Sequence, residues 1–207
     1  MGKVFAEFSM SLDGFIAEAD DEVMRLFAWY FSGDVAYTLD SGLEFRIGAA
    51  SAAVLDELTH NTGAMVSGRR TFDMSNGWGG EHPYGVPCFV VTHEIPEEWA
   101  DQANTVTFVT DGIEHAIMMA KDVAGGKNVA AGSATIAQHC LNAGLLDEIH
   151  IHLVPVLLGS GVRLFEKLGV ESIALEQTKS IAADDVTHLK YRVVKHRHGN
   201  SSANNHH

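Results

Sequence analysis

Residues 129–166 read VAAGSATIAQHCLNAGLLDEIHIHLVPVLLGSGVRLFE, and their punctuation marks out a strand, a helix and a second strand. The small apolar run NVAAG (128–132) forms a short buried strand, Ser133 caps the helix ATIAQHCLNA, and Gly144 stops it. In EIHIHLVPVLL (148–158), Ile149, Ile151 and Leu153 alternate against His150 and His152, as in a half-buried strand with the histidines on its wet side. Two strands joined through a helix pair in parallel, so this stretch predicts part of a parallel sheet.

The same alternation continues upstream. SAAVLDELTH (51–60) reads as a helix with Ser51 as N-cap, AMVS (64–67) as a short strand, and GRRTFDM (68–74) as the start of another helix. PCFVVT (87–92) and TVTFVT (105–110) are strands, and Asp111 with Glu114 makes a capping-box-like start for IEHAIMMAKDVA, closed by Gly125-Gly126. KVFAEFSM (3–10) is a buried strand that turns through Asp13-Gly14 into FIA (15–17). Downstream, IALEQTKSI and VTHLKYRVV flank residues 182–185 as an antiparallel hairpin. Residues 18–50 are less regular: DEVMRLFAWYF has the composition of a helix, but Gly33, Gly42 and Gly48 break the period. The aromatics Phe27, Trp29, Tyr30, Phe31, Tyr37 and Phe45 crowd that segment, and a substrate-pocket wall and core filling both fit them. The class is α/β, with a mainly parallel central sheet, an antiparallel C-terminal hairpin and one domain over residues 1–194. Residues 195–207 read as a flexible polar tail whose terminal His206-His207 suit an expression tag.

The composition, 46% hydrophobic and 20% charged over 207 residues, suits an ordinary globular core. A net charge of -13 argues against a surface that tracks phosphate backbone, so nucleic acid is not an expected partner. Glu7 and Asp13 interrupt the apolar stretch a signal peptide needs, no run approaches a membrane span, and Ala6 breaks the myristoylation pattern. Two cysteines, Cys88 and Cys140, far apart and without CxxC, read as core thiols rather than a disulfide or zinc framework, and the expected location is cytoplasmic.

Three strand ends carry the candidate chemistry. Gly68-Arg69-Arg70-Thr71 joins a strand to a helix and concentrates positive charge in an acidic chain; two guanidinium forks and a hydroxyl suit a phosphate, and a solvated basic turn paired with surface acids is the alternative. Gly132-Ser133-Ala134-Thr135 lets backbone approach a ligand at a helix N-terminus, although tight helix packing selects the same small residues. Thr92-His93 is the third end, and ligands of open α/β sheets bind on this side. GxGxxG, Walker A and GxSxG motifs are missing from the sequence. His150 and His152 share a strand face but lack an apparent third metal ligand, so no metal is expected.

Four segments in order resemble the dihydrofolate-reductase-like superfamily, above all the reductase domain of bacterial riboflavin biosynthesis and its stand-alone relatives. They are SLDGFIA (11–17), GRRTF (68–72), PCFVVT (87–92) and the long block 129–166, within a match over about residues 3–194. The resemblance implies a three-layer fold with helices on both faces of the sheet, NADPH as hydride donor, and often a homodimer. It implies that Gly68, Arg69, Arg70 and Thr71 take the 2′-phosphate and pyrophosphate, and that Thr92 and His93 flank the adenosine. Gly132, Ser133, Ala134 and Thr135 would cradle the pyrophosphate, and Ser9, Ile16 and Ala17 would lie near the nicotinamide. Phe15 stands where riboflavin-pathway reductases commonly carry a basic residue. Folate reductases use a buried carboxylate near the pterin; Asp13 is the nearby candidate, with turn formation as its other role. The expected function is that of a 5-amino-6-(5-phosphoribosylamino)uracil reductase-like enzyme whose heterocycle stacks on Trp29. A non-catalytic nucleotide-binding module or a dihydrofolate reductase proper are the alternatives.

Overall fold

The computed structural model describes residues 2–99, 106–166, 168–169 and 172–195. In chain order its first half contains β1 (Val4–Ser11), β2 (Phe15–Ala17), β3 (Val35–Thr38), β4 (Glu44–Ile47), α1 (Ala49–Asn61), β5 (Thr62–Gly68), α2 (Arg69–Met74) and β6 (Cys88–Val91). The second half contains β7 (Val106–Val109), α3 (Ile113–Val123), β8 (Asn128–Ala131), α4 (Ala134–Asn142), β9 (Glu148–Val154), β10 (Val162–Arg163), β11 (Leu175–Ala182) and β12 (Thr187–Val193). The main sheet has the order β11-β12-β9-β1-β8-β5-β6-β7. Its pairings from β9 through β7 are parallel, and β12 joins β9 and β11 antiparallel. The expected mainly parallel sheet with an antiparallel hairpin is therefore the sheet observed.

Alternation along the central strands divides the core in two. Val4 and Ala6 of β1, with Ala64, Val66, Val129 and Ala131, pack against α3 and α4, where Cys140 lies. Phe5, Met65, Ala130, Cys88 and Val90 face the other way, against Leu55 and Leu58 of α1, Phe72 of α2 and Trp29. Helices thus cover both faces of a sheet of alternating strand residues, a three-layer arrangement. Among the described residues no helix is long and apolar enough to cross a membrane.

Several local expectations need correction. DEVMRLFAWYF forms no long helix: a turn over residues 24–27 leads into a short 3-10 helix at Ala28–Phe31, before the β3–β4 hairpin. Ser51 does not cap α1; Gly48 does, and Ser51 sits in the first turn, buried. Asp111 and Glu114 make no capping box, because the N-cap is Gly112 at φ +93, a conformation that suits glycine, and Asp111 instead faces His115 at 3.4 Å. His150 and His152 are not on a wet face: both are buried, because α1 and the aromatic insert cover that side of β9. The strand expected from 105 is described from Val106 onward, and the polar tail from 196 onward lies outside the described residues.

Candidate active site

The C-terminal ends of β1, β8, β5 and β6 lie side by side along one edge of the sheet, so Ser9, Gly132, Gly68 and Thr92 are brought to that edge. Ser133 caps α4 as expected, its hydroxyl accepting from the Ile136 N–H at 3.4 Å. A Cβ on Gly68 would come within 3.1 Å of Ser133 Oγ, so the two strand ends meet closely only because residue 68 lacks a side chain. A Cβ on Gly132 would instead press on Met65 Sδ at 2.9 Å, which gives that glycine a packing role as well.

The two arginines are engaged by acids. Arg69 Nε donates to both Asp73 oxygens at 2.7 and 2.9 Å, and Arg70 Nη2 donates to both Asp21 oxygens at 2.6 Å. The solvated ion-paired turn is what this structure contains, and an anion would have to displace Asp73 and Asp21. Thr71 lies in the first turn of α2, Thr92 is buried with its hydroxyl donated to Glu94 O at 2.8 Å, and His93 is exposed. Ala134 and Thr135 begin α4, and Ile16 and Ala17 lie in β2.

Asp13 acts as a loop clamp. Its carboxylate accepts from the Ser11 hydroxyl at 2.7 Å and from the backbone N–H groups of Leu158 and Gly159 at 3.1 and 2.7 Å. Those donors, Ser11 first, hold its pKa at about 2, so it is an anion at any working pH. Next to it, Arg163 stacks its guanidinium 4.3 Å above the Phe15 ring.

A buried polar row lies on the opposite side of β1 from α3 and α4, and sequence reasoning gave its Glu7, Tyr84 and His188 no site role. Glu7 accepts from His152 Nε2 at 2.8 Å and from the Tyr84 hydroxyl at 3.1 Å. His152 Nδ1 lies 2.8 Å from His188 Nδ1, and His188 Nε2 lies 2.9 Å from Ser51 Oγ. Strand register explains the row: Ser9 pairs with His152, His152 with His188, and Glu7 with His150. Trp29 closes over it, donating its indole N–H to Ser9 Oγ at 3.0 Å and stacking on Tyr30 at 3.9 Å between ring centres. At 2% exposure Trp29 has no open face for a heterocycle, so it belongs to the core that backs the site. Burial pushes Glu7 up, but the His152 hydrogen bond, the nearby histidine charges and Tyr84 outweigh it and hold the carboxyl below its ordinary range. Burial first, then the neighbouring His152, lowers His188 to about 4. No group of three or more His, Cys, Asp or Glu among the described residues is arranged to hold a metal ion.

A family model described as the RibD C-terminal domain matches residues 2–189. The chain belongs to that family. Among curated proteins, "Uncharacterized protein YwjB" of Bacillus subtilis (strain 168) is 26% identical over 179 residues, covering 86% of this chain and 91% of YwjB. A solved structure from Shewanella sp. PV-4, assigned by name to riboflavin biosynthesis, is 25% identical with a TM-score of 0.70, covering 93% of this chain and 99% of that one. Dihydrofolate reductase from Enterococcus faecalis is 15% identical with a TM-score of 0.57, covering 94% of this chain and 98% of that one, which is a likeness of fold. The RibD C-terminal domain family and the dihydrofolate-reductase-like fold are thus those that the four segments indicated.

Proposed function

We propose that the chain is an NADPH-dependent reductase of the riboflavin-biosynthesis type, transferring hydride to a small heterocyclic or ribosylamino substrate of the 5-amino-6-(5-phosphoribosylamino)uracil class. The observation that carries this reading is the row of strand ends at Ser9, Gly132, Gly68 and Thr92 in a chain of the RibD C-terminal domain family. The likeness to an E. faecalis dihydrofolate reductase complexed with NADP(H) adds support for the cofactor. When bound, the nicotinamide supplies the hydride.

The residues present suit such a dinucleotide. A side chain at Gly68 would crowd Ser133, and Ser67 Oγ, buried one residue before it, has no hydrogen-bond partner among the described residues. Gly132, Ser133, Ala134 and Thr135 would hold the pyrophosphate at the N-terminus of α4. Arg69, Arg70 and Thr71 would hold the 2′-phosphate, Thr92 and His93 the adenosine, and Ser9, Ile16 and Ala17 the nicotinamide end. Exchanging Asp73 and Asp21 for phosphate oxygens costs little, because solvent screens exposed ion pairs. Arg163, over Phe15, offers a guanidinium to the substrate phosphate in place of the basic side chain missing at position 15.

Fluorescence titration tests the reading. NADPH is expected to bind more tightly than NADH by about 1.5–3 kcal/mol, roughly tenfold to a hundredfold, with the preference lost in Arg70→Ala. Equal affinities would refute the assignment of the arginines. NADPH binding without oxidation by the pyrimidine would favour a non-catalytic nucleotide-binding module.

A further inference from the structure

We propose that Glu7 hands the substrate its proton, drawing it from His152, and that His188 and Ser51 hold His152 in its charged form. The inference rests on the reductase reading, since hydride transfer to the substrate must be matched by a proton.

Four contacts restrict where hydrogens can sit. The two Nδ1 atoms of His152 and His188, 2.8 Å apart, need one hydrogen between them and have room for only one. His152 Nε2 faces the Glu7 carboxylate at 2.8 Å, and an ionised carboxylate only accepts, so Nε2 carries a hydrogen. Ser51 Oγ, 2.9 Å from His188 Nε2, donates or accepts as required. Three states satisfy all of these contacts, and burial, which disfavours the one with a charged His188, leaves two. In the first, both rings are neutral: His188 carries the shared proton on Nδ1 and accepts from Ser51. In the second, His188 has its hydrogen on Nε2 and donates to Ser51, while the shared proton sits on His152 Nδ1 and makes His152 an imidazolium against Glu7.

The second state is the charged reservoir. His152 gives its Nε2 proton to Glu7 Oε1, and Glu7 passes it to the substrate atom left basic by hydride arrival. His152 is then neutral with its hydrogen on Nδ1, still donated to His188, and Glu7 is again a carboxylate facing a bare Nε2, a contact of two acceptors that draws the next proton in. A solvent proton returning through Glu7 to His152 Nε2 after product release completes the cycle. The exposures suit these roles: the Glu7 side chain is 10% exposed and His152 3%. Glu7, held below the ordinary carboxylate range, carries a proton only in passing, while burial keeps His188 from charging in place of His152. The other titratable groups around the row are His150 on β9, Tyr84 and His82 from the segment before β6, and Tyr30 from the insert. On the far side, Glu57, Lys179 and Lys190 border a cavity of about 30 Å³ that the three buried histidines line.

Long-range imidazole ¹⁵N NMR on the full chain between pH 5 and 9 gives a signature that packing alone would not. As His152 gains its second proton, His188 is expected to change from the Nδ1–H to the Nε2–H tautomer without itself becoming charged. Charging of His188, or a fixed His188 tautomer while His152 titrates, would overturn the proposal. Glu7→Gln keeps an acceptor for His152 but removes the anion, so the tautomer change of His188 is expected to disappear from the same pH range; a change like that of the wild type also overturns it. NADPH titration of the same samples tests the reductase reading separately. With NADPH and 5-amino-6-(5-phosphoribosylamino)uracil in single turnover, Glu7→Gln is expected to slow reduction at least a hundredfold at unchanged NADPH affinity, with partial rescue by Glu7→Asp. Reduction at the wild-type rate in Glu7→Gln would overturn the proton role and leave the reductase intact. A wild type that binds NADPH without oxidising it overturns the reductase reading and with it the donor role of Glu7, while the histidine signature still decides whether His188 and Ser51 hold His152 charged.

Discussion

Trp29 both fills the core and donates its indole N–H to Ser9, so its replacement separates two contributions. Trp29→Ala is expected to cost about 3–5 kcal/mol in urea denaturation, and Trp29→Phe, which keeps most of the packing, about 1–2 kcal/mol. His82 gives the pH dependence its sign. Burial lowers it to about 4 from an ordinary 6.5, against a smaller opposing pull from Glu7. Between those values the unfolded chain takes up a proton that the folded chain refuses, so stability is full above pH 6.5 and falls as pH drops toward 4. The loss at His82 is on the order of 2–4 kcal/mol, and His188 acts in the same direction. Urea midpoints at pH 7.5 and 5 check this, and His82→Asn is expected to flatten the dependence. Glu7 was visible as a carboxylate within an apolar strand, and His150 and His152 as alternating residues. Alternation separates two faces without saying which one is covered, and the cover comes from α1 and Trp29, remote in sequence.

Helix ends were legible where the cap is local. Ser133 sits at the start of α4 with its hydroxyl on the Ile136 N–H, and Ser133→Ala is expected to cost about 0.5–2 kcal/mol, measured by thermal unfolding, with Ser133→Gly costing only a few tenths. The same reasoning failed at Ser51, because a hydroxyl in contact with His188 serves a tertiary partner that local sequence does not reveal. It failed at α3 because Gly112, between the two acids, takes the cap position itself. The β3–β4 hairpin was hidden for a related reason: Gly33 tucks against Ile47, where an added Cβ would lie 1.9 Å from backbone, an approach made between strands. The strand ends at Gly68, Thr92 and Gly132 were readable from strand–helix alternation, which also decides their common side.

At the scale of the molecule, a parallel sheet between two helical layers follows from strand–helix alternation along the chain, and each of the four matched segments includes or adjoins the C-terminal end of a parallel strand. The layers differ in construction. Two regular helices cover one face, whereas the other carries α1, the six-residue α2, the insert and the polar row. Cys140 lies beneath the first cover and Cys88 beneath the second, and burial pushes both thiols up to about 12. Since only a thiolate attacks, neither sulfur reacts until its own layer lifts. The two cysteines are therefore native chronometers for separate halves of the protein. With a chromogenic disulfide reagent under native conditions, Cys88 is expected to be modified first, as the less regular layer opens at lower free energy, and Cys140 only when the sheet is stripped of α4. Equal rates at both would mean that the two layers come apart as one unit.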